Sequence, residues 1–353
     1  MAFLPKTAVG ASCPDPIFGD SVKLAVVGTG AVGSRAARQI ASTDGVTCVQ
    51  VVDPDADRLA AVAASLGDIA ERLAPDAAPV GADAVVLASP SGTHVHVAAE
   101  LLAAGVPIVS VSDSVTDVRA LLDLDAEARE RGVSIAVGAG FSPGLTCVLA
   151  RHAAAGFDAV DEIHVARVGT GGPACAREHH RALGGTALDW RDGGWVERPG
   201  GSGRELCWFP DPIGGADCYR AALPDALLLV QPFAGVSRIT ARMAANRRDR
   251  LTARIPMLRP PHPEGGPGAV RVEVRGRRGE SRDSYILGAM DRPAVAAGAV
   301  AAVTAVAAAE RRLRRAGAAG LAELVEPVPF LAELARRGVK AAVFVGAATT
   351  VSL

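Results

Sequence analysis

The first half of the chain alternates between short apolar runs and stretches with helical spacing. The apolar runs contain few polar positions, which is typical of strands whose two faces are both buried. Strands are predicted at residues 22–27, 46–52, 84–88, 106–111 and 133–138, and helices at 32–42, 56–66, 93–104 and 115–131. Strands that alternate with helices in this way predict a doubly wound α/β layer around a parallel sheet.

The second half has a different pattern, in which apolar and polar residues alternate along several short segments. Val270, Val272 and Val274 point to one side, and the charged residues between them point to the other. This spacing indicates a largely antiparallel sheet with one wet face. Strands are predicted at residues 162–168, 194–197, 206–209, 227–231, 236–243, 250–255 and 270–275. An alanine-rich helix at 294–315 follows, and then helix and strand at 330–345.

Composition excludes several classes of protein. The 37 basic and 38 acidic residues nearly cancel, which argues against a nucleic-acid binder or a membrane-surface binder. The longest apolar stretch, residues 294–309, is interrupted by Thr304 and indicates a buried helix, not a membrane span. The six cysteines are widely spaced without a CxxC motif, so no metal site and no disulfide scaffold is predicted, and a reducing cytoplasm is expected.

A glycine-rich motif stands between the first predicted strand and the first predicted helix. It comprises six residues, Gly28, Thr29, Gly30, Ala31, Val32 and Gly33. In this position Gly28 makes a tight turn, Gly30 admits a pyrophosphate, and Gly33 lets the helix approach the strand. The unpaired N–H groups at the start of the helix can bind phosphate. The motif therefore predicts a dinucleotide-binding site, with a plain glycine turn as the structural alternative.

Asp53 ends the second strand, 20 residues after Gly33, where a carboxylate can bind the adenosine ribose hydroxyls. A carboxylate about 4 Å from a phosphate charge costs roughly 4 kcal/mol at an effective dielectric constant of 20. Asp53 therefore favours NAD over NADP. Arg58 lies five residues on and could compensate a 2′-phosphate, so NADP stays open.

Ligands of doubly wound sheets bind beyond the carboxyl ends of the strands, where three further loops lie. These loops supply the remaining predicted cofactor-binding residues, Ala88, Ser89, Pro90, Thr93, His94, Ser112 and Phe141. They also supply Asp113 as a catalytic acid/base or substrate-amine partner, and Ser142 as a substrate-binding residue. The structural alternatives are a helix cap for Asp113 and a core contact for His94.

The glycine-bounded stretch 171–185 carries a cluster of basic and titratable side chains that resembles a lid over a site. His180 is predicted as a catalytic proton donor because a histidine titrates near neutral pH. Arg177, His179 and Arg181 are predicted to bind the substrate, the arginines through a carboxylate. A solvated loop is the structural alternative.

The order of several motifs resembles the saccharopine dehydrogenase-like (saccharopine reductase-like) superfamily of NAD(P)-binding oxidoreductases. The motifs are GTGAVG at 28–33, ASPSGTH at 88–94, SDS at 112–114, GAGFSPGL at 138–145, WRDGGWVERPG at 190–200, FPDPIGG at 209–215 and YILGAMD at 285–291. The resemblance covers roughly residues 22–315. It implies a Rossmann domain, a substrate domain built on a sheet, and a C-terminal helix that returns to the first domain. It also implies NAD(P)-dependent chemistry at a C–N bond.

The resemblance and the residues together define the expected organisation. A loose arm at 1–20 precedes a Rossmann domain at 21–145, a substrate domain of mixed α/β structure at 146–290, and C-terminal helices at 291–353 that return to the Rossmann domain. The alanine-rich helix could equally pack against a second subunit, which leaves a homodimer open. Ser142 stands where many relatives carry an aspartate, so saccharopine itself is not expected as the substrate.

A competing resemblance is to the sugar and inositol dehydrogenases of the Gfo/Idh/MocA-like group. Those enzymes typically use a lysine in a Glu-Lys-Pro motif after the fifth strand. The matching residues 111–114 are Val-Ser-Asp-Ser, and the chain has no lysine between Lys23 and Lys340. This departure argues against a lysine-assisted oxidation of an alcohol.

The predicted activity is NAD(P)-dependent imine reduction or amine oxidation on a small amino-acid-like or amine substrate. Hydride transfer to an imine carbon is mainly a problem of positioning, with a proton supplied at the nitrogen. Two alternatives remain at this stage. The first is a Rossmann enzyme that keeps its cofactor bound and carries out epimerisation or cyclisation without net redox change. The second is a non-catalytic nucleotide-binding scaffold.

Overall fold

The computed structural model describes residues 22–257, 260–339 and 341–344. The predicted arm at 1–20 lies outside the described residues. Within them the strands are β1 (Val22–Val27), β2 (Val46–Val52), β3 (Ala70–Arg72), β4 (Ala84–Leu87), β5 (Ile108–Ser110), β6 (Ser134–Ala136), β7 (Ala159–Val168), β8 (Thr186–Arg191), β9 (Gly194–Pro199), β10 (Glu205–Trp208), β11 (Gly215–Arg220), β12 (Arg238–Ala244), β13 (Gly268–Arg278), β14 (Ser281–Asp291), β15 (Gly317–Ala319) and β16 (Ala341–Phe344).

The helices cover both faces of the first sheet and one side of the second. They are α1 (Ala31–Ala41), α2 (Ala56–Leu66), α3 (His94–Ala103), α4 (Val115–Leu122), α5 (Asp125–Glu130), α6 (Leu145–Ala154), α7 (Pro173–Gly184), α8 (Asp225–Leu229), α9 (Arg247–Thr252), α10 (Pro293–Ala309), α11 (Leu321–Leu324) and α12 (Pro327–Arg336). No helix of the described residues is long and apolar enough to cross a bilayer.

The first sheet has seven strands in the order β15-β6-β5-β4-β1-β2-β3. All neighbouring strands are parallel. The middle residues of β1, Leu24 to Val26, are fully buried, as is the whole of β4. These strands are apolar on both faces because helices cover both faces, which confirms the predicted doubly wound layer. The order reverses between β1 and β4, and this reversal opens a crevice at the carboxyl ends of the strands.

The second sheet has nine strands. Seven run in the order β10-β11-β12-β7-β13-β14-β16, and the β8–β9 hairpin joins at β12. Only the β7–β12 pair among its described pairs is parallel, so the predicted largely antiparallel sheet is confirmed. Val270, Val272 and Val274 are fully buried as their alternation predicts. Glu273, on the opposite face, is itself largely buried because Arg271 and Arg275 pair with it at 2.7 and 2.6 Å.

After the second sheet the chain returns to the first one. Helix α10 is buried over nearly its whole length and lies against α1, β4 and β5, while β15 extends the first sheet beside β6. The helices α10 and α1 touch closely at Gly298. A Cβ atom at this position would lie 2.6 Å from Cβ of Arg35 and 2.8 Å from the backbone nitrogen of Ala36.

Two predicted strands of the second half are wrong. The apolar residues 227–231, predicted as a strand, lie mostly in helix α8, because a short apolar run fits a buried helix as well as a strand. Residues 250–255, also predicted as a strand, begin inside helix α9, which ends at Thr252. That helix begins with a capping box in which Asn246 and Asp249 bond to each other's backbone N–H groups.

Other departures concern lengths and omissions. The single helix predicted at 115–131 is divided into α4 and α5, and the alanine-rich helix ends at Ala309 instead of 315. Helix α7 occupies the stretch predicted as a glycine-bounded lid, with Pro173 at its first position. Strands β3, β8, β11, β14 and β15 were not predicted. Two of them have only three residues each, too few to show a period.

We expect Gly298→Ala to destabilise the protein, although alanine is the better helix former. The added methyl group would push α10 away from α1, and overpacking of this kind costs about 1–3 kcal/mol. That loss exceeds the gain in helix propensity of about 1 kcal/mol at most. Urea unfolding followed by circular dichroism would measure the lowered midpoint. Gly81→Ala is the matched control because its Cβ would meet no atom within 4 Å. Equal midpoints for the two variants would contradict the tight contact.

Candidate active site

The glycine turn after β1 packs against the loop after β4. Gly28 has φ +94°, and a Cβ atom there would lie 2.5 Å from the backbone nitrogen of Ser89. A Cβ on Gly33 would lie only 1.8 Å from the carbonyl oxygen of Gly28. A Cβ on Gly30, by contrast, would meet no atom within 4 Å. At the first and third glycines the protein's own backbone occupies the space that a side chain would need. Gly30, in contrast, leaves space for a ligand at the start of α1.

The start of α1 has free donors facing this space. Gly30 is its N-cap residue and no side chain caps the first turn. The N–H groups of a helix start that lacks a capping side chain suit an anion such as a pyrophosphate. Thr29, Gly30, Ala31 and Val32 all line the adjoining cavity. This arrangement fits the phosphates of a dinucleotide.

Asp53 lies buried beneath the glycine turn. Its Oδ2 accepts hydrogen bonds from the backbone N–H of Thr29 at 2.6 Å and from the Thr29 hydroxyl at 2.9 Å. Nη1 of Arg58 lies 3.6 Å from the same oxygen, and Nη2 of Arg58 binds Asp55 at 2.7 Å. Arg58 is thus neutralised by two carboxylates at this edge of the cavity. The two carboxylates and the one guanidinium group leave one net negative charge at this edge of the cavity, and this charge disfavours a 2′-phosphate.

One cavity of about 730 Å³ connects the glycine turn with helix α7. Its wall contains the loops that follow β4, β5 and β6, as expected for the crevice of a doubly wound sheet. The predicted site residues that line it are Gly28, Thr29, Gly30, Ala31, Val32, Asp53, Ala88, Ser89, Pro90, Ser112, Asp113, Phe141, Ser142, Arg177 and His179. The structure therefore brings together most of the predicted cofactor and substrate residues.

Five predicted site residues do not line the cavity. Gly33 packs α1 against the turn, as described above. Thr93 donates its hydroxyl hydrogen to the carbonyl of Pro90 at 2.8 Å and so braces the loop. His94 is fully buried between Ser110 Oγ at 2.9 Å and the carbonyl of Ser89 at 2.8 Å. Burial lowers the pKa of His94, which fits the structural alternative of a core contact.

His180 and Arg181 are turned away from the cavity by the helical geometry of α7. Nε2 of His180 lies 2.8 Å from the carbonyl oxygen of Thr252, and Arg181 pairs with Glu178 at 3.0 Å on the surface. Residues one or two positions after His179 point about 100° and 200° away from it. The roles predicted for His180 and Arg181 presupposed a loop, and the helix places both side chains elsewhere.

Asp113 lies at the centre of the polar end of the cavity. It does not cap α4, whose N-cap is Ser114. Instead its Oδ2 lies 2.9 Å from Nε2 of His179 and 3.3 Å from Nη1 of Arg167. Burial alone would raise the pKa of Asp113, but the hydrogen bond from His179 and the charge of Arg167 lower it to about 2. The carboxyl group is therefore ionised at neutral pH.

Burial and nearby charges also shift the pKa values of His179 and Cys175, the two neighbours of Asp113 on α7. Burial and the charge of Arg167 lower the pKa of His179, so its imidazole is neutral at neutral pH and donates through Nε2. Sγ of Cys175 lies 3.2 Å from this nitrogen and 3.8 Å from Oδ2 of Asp113. Burial and the charge of Asp113 raise the pKa of Cys175 to about 12, so the free thiol is protonated.

Arg167, on β7, ties this cluster to the second sheet. Its Nη1 donates to the carbonyl of Ser142 at 2.6 Å, and the side chain is buried. Within the described residues, Nε and Nη2 of Arg167 have no hydrogen-bond partner. The hydroxyl of Ser142 donates to Asp225 at 3.0 Å, so this side chain is held by the protein although Ser142 lines the cavity.

Sequence reasoning missed Arg167, Cys175, Glu178 and Asp225. The first three line the cavity, and burial raises the pKa of Glu178. The i, i+4 spacing of Cys175 and His179 would have been a usable signal if α7 had been recognised as a helix. No signal in the sequence connects Arg167 with Asp113, because their contact depends on how the two sheets meet.

Comparison with known proteins supports the cofactor. Residues 22–139 match the family described as GFO_IDH_MocA, oxidoreductase family, NAD-binding Rossmann fold. No curated protein matches the chain. The N-terminal domain is therefore an NAD-binding Rossmann domain of an NAD-dependent oxidoreductase. The matching family is the group that typically uses a lysine after the fifth strand. This chain shares the NAD-binding fold of that family and lacks the lysine.

Solved structures extend the likeness to the whole fold. The saccharopine dehydrogenase (L-Glu forming) of Saccharomyces cerevisiae is 13% identical, with 92% of this chain and 100% of that chain covered and a TM-score of 0.67. This likeness shows that the chain has the fold implied by the resemblance to the saccharopine dehydrogenase-like superfamily. Two other solved structures are less similar, with TM-scores below 0.5. They are a myo-inositol dehydrogenase of Sinorhizobium meliloti (15% identical, 90% and 95% covered, 0.46) and the DAP dehydrogenase of C. glutamicum (15%, 86% and 94%, 0.45).

We expect Asp53→Asn to weaken NADH binding and to reduce the preference for NADH over NADPH. The substitution removes a charged acceptor whose hydrogen bonds are worth about 1.5–3 kcal/mol, which corresponds to roughly 10- to 100-fold in Kd. It also removes the charge that repels a 2′-phosphate. Titrations followed by nicotinamide fluorescence would measure both constants. Asp57→Asn is the matched control, because Asp57 is exposed on α2 and does not line the cavity. An unchanged NADH-to-NADPH ratio in Asp53→Asn would show that Asp53 does not select the cofactor.

Proposed function

We propose that this protein is an NAD-dependent oxidoreductase that acts on the C–N bond of a small amine or amino-acid-like substrate, by imine reduction or amine oxidation. The observation that carries the proposal is the ionised Asp113 at the polar end of the cavity, held by Arg167 and His179. A buried carboxylate in a ligand cavity suits a cationic partner, and an ammonium or iminium nitrogen is such a partner.

The absence of a lysine near the site also favours a substrate that reacts at a C–N bond. In the resembled sugar dehydrogenases a lysine after the fifth strand assists oxidation of a hydroxyl group. Here Asp113 occupies the loop after β5, and the chain has no lysine between Lys23 and Lys340. A carboxylate where the lysine would stand reverses the sign of the charge that faces the reacting group. This reversal favours a nitrogen that carries a positive charge over a hydroxyl group that must lose a proton.

Arg177 is the proposed partner of a substrate carboxylate. It lies on α7 one turn before Arg181, lines the cavity and is exposed to it. Arg177 has no acidic side chain in ion-pair distance within residues 22–257, 260–339 and 341–344, in contrast to Arg181, which binds Glu178. A free guanidinium group in the cavity can form a bidentate pair with a carboxylate. Asp113 and Arg177 together would bind the two charged groups of an amino acid.

NAD, when bound along the glycine turn, supplies the acceptor or donor of the hydride. The residues of the chain supply position and charge. Asp113 holds the substrate nitrogen, and the neutral His179 holds Asp113 through its Nε2–H. Phe141 lies in the cavity wall and is largely buried, so this part of the wall is apolar. With both ends of the substrate fixed, the reacting carbon is held at a defined distance from the cofactor.

The direct test is a screen of purified protein for consumption of NADH with pairs of 2-keto acids and amines and with cyclic imino acids, and for reduction of NAD by amino acids. Turnover with these substrates, and not with polyols or sugars, would support the proposal. Turnover with sugars alone would overturn it. NADH binding without consumption, accompanied by substrate epimerisation, would replace it with chemistry that keeps the cofactor bound.

We expect Arg177→Gln to raise KM for carboxylate-bearing substrates by roughly tenfold, because a charge-assisted pair of about 1.4 kcal/mol is lost. The KM of the matching carboxamide should stay unchanged, since it does not bind the guanidinium group as an ion pair. Steady-state kinetics with both substrates would separate the two effects. Arg248→Gln, an exposed arginine on α9 outside the cavity, is the matched control. An equal rise for carboxylate and carboxamide would refute the assigned role.

A further inference from the structure

The geometry points to a second ligand in this cavity: Asp113, Cys175 and His179 form a site for one divalent transition-metal ion, with zinc as the preferred ion. The three donor atoms are Oδ2, Sγ and Nε2, and all lie within 4.8 Å of one another. Neither the proposed C–N chemistry nor the resemblance to dehydrogenases calls for a metal here. The inference therefore goes beyond the proposed function.

The distances between the donors are close to those of a tetrahedral site. The oxygen–nitrogen, sulfur–nitrogen and sulfur–oxygen distances are 2.9, 3.2 and 3.8 Å. Zinc binds nitrogen and oxygen at about 2.0–2.2 Å and sulfur at about 2.3 Å. Tetrahedral angles then place neighbouring donors roughly 3.3–3.7 Å apart. The two shorter contacts need to open by only a few tenths of an ångström to admit the ion.

The fold holds the three donors on two neighbouring elements, helix α7 and the loop after β5. Cys175 and His179 are four residues apart on α7, so they share one face of the helix. Asp113 approaches that face from the loop after β5. A thiolate and an imidazole are ligands that zinc prefers, whereas magnesium and calcium prefer oxygen alone. Three protein ligands with an open fourth position are typical of catalytic zinc.

The charges of the three ligands match a divalent cation. A carboxylate and a metal-bound thiolate together neutralise a divalent cation, and the imidazole binds in its neutral form. Arg167 is the one cation in hydrogen-bond contact with the three donors among the described residues. Its bond to the Ser142 carbonyl, at 2.6 Å, is shorter than its contact of 3.3 Å with Asp113. Arg167 can keep the Ser142 bond while Asp113 turns towards an ion, and it would then orient Asp113 from outside the coordination sphere.

The open fourth position faces the cavity that Asp113, Cys175 and His179 all line. A metal ion there would bind a nitrogen or oxygen lone pair of the substrate and polarise its C=N or C=O bond. It would also admit hydroxyl-bearing substrates that Asp113 alone does not favour. With the ion bound, the site would take a neutral nitrogen or an alkoxide oxygen as its fourth ligand, whereas the metal-free site offers Asp113 to an ammonium group.

The test is a titration of the full-length protein, freed of metal by a chelator and kept reduced, with Co²⁺ alone. We expect one equivalent to bind with visible bands of tetrahedral intensity and a near-ultraviolet thiolate-to-metal charge-transfer band, and Zn²⁺ to displace it. Cys175→Ser should abolish the charge-transfer band, and His179→Gln should abolish tight binding. The matched controls are Cys48→Ser and His96→Gln, which lie outside the cavity and should keep both.

NADH titration of each variant separates a lost metal site from a lost fold. Loss of the charge-transfer band in Cys175→Ser with NADH affinity intact would support the metal site. A Co²⁺ spectrum without charge transfer, or one that Cys175→Ser leaves unchanged, would overturn it. If Co²⁺ does not bind while amine-dependent turnover persists, the metal site is refuted and the C–N activity stands. If Co²⁺ binds as expected but turnover requires sugars, the C–N proposal fails and the metal site stands.

Discussion

A single buried cation joins the two halves of this molecule. Arg167 extends from β7 of the second sheet to Asp113, in the loop that follows β5 of the first sheet, and to the carbonyl of Ser142. Burying a guanidinium group costs several kcal/mol unless partners compensate it. These partners are available only when the two sheets meet in one orientation. The hydrogen bond from His179 and the charge of Arg167 together lower the pKa of Asp113, so the charge of the site depends in part on the contact that joins the two sheets.

The parallel sheet was predictable because its physical signal is strong and local. Strands buried on both faces must be largely apolar, and β4 is apolar throughout, while β1 and β2 are interrupted only by Lys23, Thr47 and Gln50. The second sheet was harder to predict. A run such as residues 227–231 is apolar whether it forms a buried strand or one face of a short helix. At α9 the Asn246–Asp249 capping box was a local signal that outweighed the apolar residues after it.

The candidate site also has one part that the sequence predicts well and one part that it predicts poorly. The glycine turn, Asp53 and the loops at the strand ends follow from topology, so most of the residues that line this end of the cavity could be located from sequence. The polar end could be located only in part. Asp113 was identified by its loop, but its partners come from β7 and α7, more than fifty residues away. His179 and His180 are neighbours in sequence, and only the helical phase of α7 decides which of them reaches the cavity.

The return of the chain to the first sheet has a consequence for synthesis. The first six strands of that sheet end at Ala136, yet the seventh strand and the α10 helix that covers one face come from residues 293–319. At about 5–20 residues per second, the apolar face of the nascent sheet waits on the order of ten to forty seconds for its cover. During that interval the exposed valine and alanine surface is a target for chaperones. The cofactor cleft, whose wall includes Pro293 and Ala297, closes only after these residues have been synthesised.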